Sequence, residues 1–109
     1  MPTTAATAQT VFKAIADPAR RAILDCLARQ GATPALELGA DFRGSQPALS
    51  KHLRVLRDAR LVHVRRDGRR QLYTIAPGPL AAVERWISLY RRFWEDRLDA
   101  LARHLDERP

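Results

Sequence analysis

Residues 45–57 read Ser45-Gln46-Pro47-Ala48-Leu49-Ser50-Lys51-His52-Leu53-Arg54-Val55-Leu56-Arg57, and this stretch decides the fold. Ser45 can cap a helix whose first turn takes Pro47, where a missing N–H costs nothing because the first amides of a helix have no internal partner. Leu49, Leu53 and Leu56 fall at i, i+4 and i+7 and share one face. Gln46, Ser50, Lys51, His52, Arg54 and Arg57 are left for the others. A helix with one packing face and a row of polar and basic donors outside suits a DNA major groove. It equally describes an ordinary solvated amphipathic helix, so the rest of the chain has to choose.

Charge is the next guide. The 109-residue chain carries a net charge of +7. Residues 43–70 hold nine cations and two anions, and the remainder holds ten of each sign. The whole excess therefore lies on one quarter of the sequence, as in an electrostatic footprint for a polyanion. An acidic protein or an RNA would be drawn to the same patch, which keeps an interaction module for such a partner as the alternative. One domain is expected from the length. There is no apolar run of about 18 residues and no signal-peptide pattern at the N-terminus, so no membrane partner and a cytoplasmic location are expected. The single cysteine, Cys26, sits between Ala22-Ile23-Leu24 and Leu27 and reads as a small core residue, with a thiol sensor as the other reading.

In chain order, residues 1–9 are small and polar and are expected to form a disordered tail ahead of a domain spanning 10–109. A short helix follows, with Val11, Phe12 and Ile15 on its apolar face. Asp17-Pro18 caps and starts a second helix that runs to about Gln30 and stops at Gly31. Arg20 and Arg21 lie in its first turn, where the helix dipole disfavours cations, so an outside anion or solvent is expected to hold them. Thr33 and Pro34 are expected to cap and open a third helix reaching Phe42, with Leu36, Leu38 and Phe42 available for packing. Arg43-Gly44-Ser45 then turns into the recognition helix, 45–58, and two short helices around such a turn make a helix-turn-helix pattern.

Beyond residue 60 the period changes to that of β structure. Two runs, 61–66 and 70–75, flank Asp67-Gly68-Arg69, a hairpin signal over 62–75. With Asp67-Gly68 in a two-residue turn, Arg65 would face Arg70 and Arg66 would face Arg69, like charges that bound phosphate would relieve. Residues 79–106 read as one long helix with Leu80, Val83, Ile87, Tyr90, Trp94, Leu98, Leu101 and Leu105 along a seam and Trp86 and Phe93 on a second flank. That apolar surface is wider than one small core needs. A second copy of the chain is therefore expected to bury it, with Val11, Phe12, Trp86, Ile87, Tyr90, Phe93, Trp94, Leu98 and Leu101 at the dimer interface. The element order is α-α-α-α-β-β-α, mainly α with a small β-hairpin.

Taken together, Ala16-Asp-Pro-Ala-Arg-Arg-Ala-Ile-Leu24, Ser45-Gln-Pro-Ala-Leu-Ser-Lys-His-Leu-Arg-Val-Leu56, the basic hairpin, and Trp86 with Tyr90, Phe93-Trp94 and Arg97-Leu98 resemble the ArsR/SmtB winged helix-turn-helix repressors of prokaryotes. The resemblance covers nearly the whole chain from Thr10. It implies a homodimer joined by first and last helices, recognition helices in successive major grooves, hairpins as wings, repression of the protein's own or a neighbouring operon, and an unidentified inducer. Metal-sensing members carry a Cys-x-Cys-type string in the helix before the turn, where this chain has Pro34-Ala-Leu-Glu-Leu-Gly-Ala40. His104-Leu-Asp-Glu107 keeps half of the other family metal site, but no histidine precedes it in that helix. No metal and no cofactor are expected, as in the branch often encoded beside START-like ligand-binding proteins. Arg60 stands where relatives usually have Gly after the helix, and strain of roughly 1 kcal/mol is expected if it turns left-handed.

The residues expected to meet duplex DNA, in an inverted-repeat operator, are Ser45, Gln46, Pro47, Ser50, Lys51, His52, Arg54 and Arg57 on the helix and Arg65, Arg66, Arg69 and Arg70 on the wing. Gln to adenine and Lys to guanine are the geometrically natural base contacts. Catalysis is not expected. Ser50, Lys51 and His52 are adjacent in sequence, so they fan around a helix and do not converge.

Overall fold

The structure is a computed structural model that describes residues 7–107. Its elements are α1 (Ala8–Ile15), α2 (Pro18–Gln30), β1 (Thr33–Pro34), α3 (Ala35–Asp41), α4 (Gln46–Asp58), β2 (Val62–Asp67), β3 (Arg70–Ile75), a single 3₁₀ turn (Gly78–Leu80) and α5 (Ala81–Asp106). The three strands form one antiparallel sheet in the order β1-β3-β2.

Caps fix the helix starts. The Asp17 carboxylate accepts from the Ala19 N–H at 2.7 Å, and the Ser45 hydroxyl accepts from the Ala48 N–H at 3.2 Å. Both helices carry Pro in the first turn, where its missing donor is harmless. The Leu49, Leu53 and Leu56 stripe is buried together with Val11, Ala14, Ile23, Leu24, Leu27, Leu38, Leu61, Val62 and Tyr73. One core thus joins the first four helices to the sheet.

Helix α4 ends in a tight left-handed turn. Ala59 is the last helical-like residue, and Arg60 has φ 61°. The Leu61 N–H reaches the Leu56 carbonyl and the Arg60 N–H reaches the Arg57 carbonyl, both at 2.9 Å, which is the paired bonding of a Schellman cap. Leu56 and Leu61 close it as two fully buried side chains. The strain foreseen at Arg60 is therefore present. Arg60→Gly is expected to stabilise the fold by about 1 kcal/mol, read as a higher urea midpoint at unchanged slope.

Several expectations are corrected. Helix α1 starts at Ala8, with the Thr7 hydroxyl accepting from the Thr10 N–H, so residues 8 and 9 belong to the domain. The rest of the expected tail, 1–6, lies outside the described residues. Thr33 and Pro34 form an edge strand, Thr33 opposite Tyr73 and Pro34 opposite Leu72, and α3 starts one residue later than expected, at Ala35, with Pro34 rather than Thr33 at its N-cap. Proline is tolerated there because an edge strand has a side that needs no donor. Thr33 is buried and its hydroxyl donates to the Gly31 carbonyl, so pairing with β3 wins over capping. Leu36, expected to pack, is 85% exposed.

The hairpin register also differs. Arg65 stands opposite Leu72, Arg66 opposite Gln71 and Asp67 opposite Arg70. The two central turn residues are Gly68 and Arg69, and of these Gly68 takes positive φ, 64°. Glycine first of two is the requirement of a II′ turn, whose twist suits the strands. Asp67 is thereby moved out of the turn and into an ion pair with Arg70 at 3.8 Å, and no like-charge pair forms across the strands.

The last helix behaves unlike the others. None of its residues is fully buried; Leu80 and Val83 lean on the core at its start, and Trp86 meets Phe12 edge to face at 5.7 Å. From there on it projects, and the radius of gyration of 18.6 Å well exceeds the roughly 13 Å of a compact chain of this length.

Candidate nucleic-acid interface

Three buried leucines hold one side of α4, and the opposite side is left to solvent. Ser45, Gln46, Pro47, Ser50, Lys51, Arg54 and Arg57 are all exposed. The wing residues Arg65, Arg66, Arg69 and Arg70 are exposed as well. Every one of these cations except Arg70, which has its pair with Asp67, lacks an ion-pair partner among the described residues. An unneutralised basic row on a rigid helix beside a basic hairpin is an anion-binding surface.

His52 is placed differently from its helix neighbours. It is half-buried, its ring meets Phe42 edge to face at 5.8 Å, and its Nδ1 lies 3.1 Å from the Arg20 guanidinium. Arginine can only donate, so Nδ1 accepts in this bond. Its Nδ1 is thus committed to α2 and closed to a base edge. This bond ties α4 to the rest of the domain.

Arg20 and Arg21 find acceptors within the chain, Arg21 while remaining exposed. The Arg20 guanidinium, only 17% exposed, donates to the Ala14 carbonyl at 2.6 Å and the Lys13 carbonyl at 3.2 Å. Arg21 donates to Ile15 and Ala16. The two cations therefore satisfy the open C-terminal carbonyls of α1, where the dipole of that helix favours positive charge, rather than suffering the dipole of their own. The signal was present in the sequence as two arginines soon after the end of a helix, but only the crossing of α1 and α2 brings them together.

Asp17 completes the cluster. Partial desolvation pulls its carboxyl upward, but the N–H groups of Ala19 and Arg20 and the Arg20 guanidinium outweigh this and hold it below the usual carboxylate range. A group with a lowered folded-state value contributes stability above its unfolded value of about 3.9 and loses it as pH falls through the lower folded one. Thermal stability should fall between pH 5 and pH 3, and less steeply in Asp17→Asn, which keeps an acceptor but does not titrate. Equal slopes in the two proteins would contradict this role.

The residues expected at a dimer interface divide. Val11 is 1% exposed within the chain's own core and offers no free surface, because α1 turns that side chain inward together with Ala14. Phe12 and Ile87 are half-buried. Trp86, Tyr90, Phe93, Trp94, Leu98 and Leu101 are all about half exposed or more, and Leu89, which the seam omitted, is 74% exposed. No helix among the described residues is long and apolar enough to cross a membrane.

Comparison with known proteins bears on this geometry. A family model described as a helix-turn-helix domain matches residues 15–65. The chain is 41% identical over 95 residues to the HTH-type transcriptional regulator Rv2034 of Mycobacterium tuberculosis, covering 87% of this chain and 85% of that one. It is 36% identical to the transcriptional repressor SdpR of Bacillus subtilis, over 71% of this chain and 84% of the relative. Among solved structures, an ArsR family transcriptional regulator superposes with a TM-score of 0.69 at 34% identity, covering 80% of this chain and 89% of that one. An ArsR-like regulator from Rhodococcus sp. RHA1 gives 0.66 at 29% identity, covering 88% and 90%. Relatives named as transcriptional regulators favour DNA over an acidic protein or RNA as the partner of the basic surface. The chain belongs to the ArsR/SmtB family of winged helix-turn-helix, DNA-binding transcriptional regulators.

Proposed function

We propose that this regulator acts as a homodimeric repressor, binding an inverted-repeat operator of its own or a neighbouring operon in the cytoplasm. The observation that carries the reading is the exposed row Gln46, Ser50, Lys51, Arg54 and Arg57 on a helix locked from behind by Leu49, Leu53 and Leu56. Gln46, Ser50 and Lys51, near the helix N-terminus, meet base edges, with Ser45 and Pro47 shaping the entry. Arg54 and Arg57 lie farther along and contact backbone phosphates. Arg65, Arg66, Arg69 and Arg70 grip phosphate or an adjacent minor groove, supplying affinity more than discrimination. His52 supports the reading from inside, by seating α4 through Arg20. The name of the Bacillus subtilis relative, a transcriptional repressor, supports repression.

Selection of duplexes from a random pool, followed by salt titration, tests this division. Gln46→Ala should relax preference at one base pair per half-site. Arg69→Ala should weaken every sequence alike and reduce the salt slope by about 1 for each phosphate it no longer neutralises. If both changes act equally on all sequences, the assignment of base readers and phosphate grips is wrong. A two-fold dimer further requires half-sites about one helical turn apart or a multiple of it.

A further inference from the structure

Behind the helix-turn-helix corner lies a cleft of about 370 Å³ between α2 and the end of α3, lined by Pro18, Ala19, Ala22, Ile23, Cys26, Leu38, Asp41, Phe42 and Arg43. Its walls are apolar except at the rim, where one carboxylate and one guanidinium stand two residues apart in sequence. Neither the Asp41 nor the Arg43 side chain has a hydrogen bond or ion pair among the described residues. A volume above about 300 Å³ with apolar walls and a few polar groups is the usual form of a small-molecule site.

We propose that this cleft binds a small zwitterion with an apolar side chain, of the class of free aromatic or branched amino acids, and that its occupancy weakens DNA binding. The charges at the rim select the class. An apolar acid would meet Asp41 unfavourably and an apolar amine would meet Arg43 unfavourably, whereas an ammonium and a carboxylate on one carbon satisfy both, with the side chain against Ile23, Cys26, Leu38 and Phe42.

The position of the cleft supplies the coupling. Its two walls are α2 and the α3–α4 turn, and each is tied to α4 through His52, the first by the Arg20–His52 bond and the second by the Phe42–His52 ring contact. Phe42 cannot retreat toward Gly44, because its ring already lies over that backbone: a Cβ on Gly44 would meet Phe42 Cε2 at 2.7 Å. A ligand wedged between the walls therefore bears on the link that seats α4. The coupling half of the proposal rests on the DNA-binding reading above; the site itself does not.

The test uses the full chain, with L-phenylalanine as probe and phenylpropionate and phenylethylamine as single-charge controls. Calorimetric titration should show phenylalanine binding at least tenfold more tightly than either control, and the preference should vanish in Asp41→Asn and Arg43→Gln. Phenylalanine should slow alkylation of the half-buried Cys26 thiol at least fivefold. Ala22→Phe, which fills the cleft from an exposed position of α2, should abolish ligand binding and with it any effect of the ligand on DNA affinity. Saturating ligand should weaken binding to a fragment from upstream of the gene at least tenfold, and DNA should weaken ligand binding by the same factor, as linkage requires. No binding, or equal binding of all three probes, overturns the site. Ligand binding with unchanged DNA affinity overturns the effector role. A free protein that ignores DNA refutes the preceding section instead, and the titration and alkylation still judge the cleft.

Discussion

Replacing Trp94 and Leu98 together with glutamate is expected to leave a folded monomer at micromolar concentration and to lower operator affinity at least a hundredfold. Both side chains are more than half exposed, and no residue of α5 is buried, so the chain's own core loses nothing by the change. In a two-fold interface each copy meets its own image, and four carboxylates would enter apolar surface unpaired, which costs several kcal/mol. Two linked half-site contacts gain about 10²–10⁴ in affinity over one through effective concentration, and a monomer forfeits that gain. Sedimentation gives the mass, far-UV circular dichroism shows that the helices persist, and a promoter titration gives the affinity. A variant that remained dimeric, or a monomer that bound as tightly as the parent, would remove α5 from the role proposed for it.

Leu56→Ala is expected to destabilise the domain by about 3–5 kcal/mol, a large part of the 5–15 kcal/mol typical of a native protein. Leu56 is fully buried, lies in the stripe that fastens α4, and forms one half of the apolar contact that closes the turn at Arg60. Truncation leaves a cavity at a point where two elements meet and neither can collapse into it. At roughly 4–8 °C per kcal/mol the melting temperature should drop by about 12–40 °C, compared at equal protein concentration because dimer stability depends on it. Lys51→Ala, on the opposite face of the same helix, should stay within about 0.5 kcal/mol of the parent and lose DNA affinity instead. Similar stabilities for the two variants would mean that the faces of α4 are assigned the wrong way round.

Most of the helical skeleton was legible because its signals are local. Asp17-Pro18 and Ser45-Gln46-Pro47 each announce a helix start within one turn, Gly31 announces a stop, and Leu49, Leu53 and Leu56 mark the buried side by period alone. The basic quarter could likewise be found by counting, since charge is a property of composition. What sequence alone missed involves partners distant along the chain. Thr33-Pro34 is too short to show a period, and it becomes a strand only because Tyr73 and Leu72, about forty residues on, offer it an edge. The hairpin register turned on which residue takes the positive φ, and Gly68 as first of two moved every arginine pairing by two residues.

The amino-acid sequence by itself determined where α2 starts and stops and where α4 starts, the buried stripe of α4, the site of the excess charge and the family, all of which are written in spacings of a few residues. Only the tertiary structure decided that Val11 is spent on the core, that Arg20 and Arg21 close α1, and that His52 turns inward to Arg20 while its neighbours face out. The reason is physical: caps and periodicities act through bonds within one or two turns, whereas the partner of a long charged side chain is whatever the packing of other helices brings within about 3 Å of it.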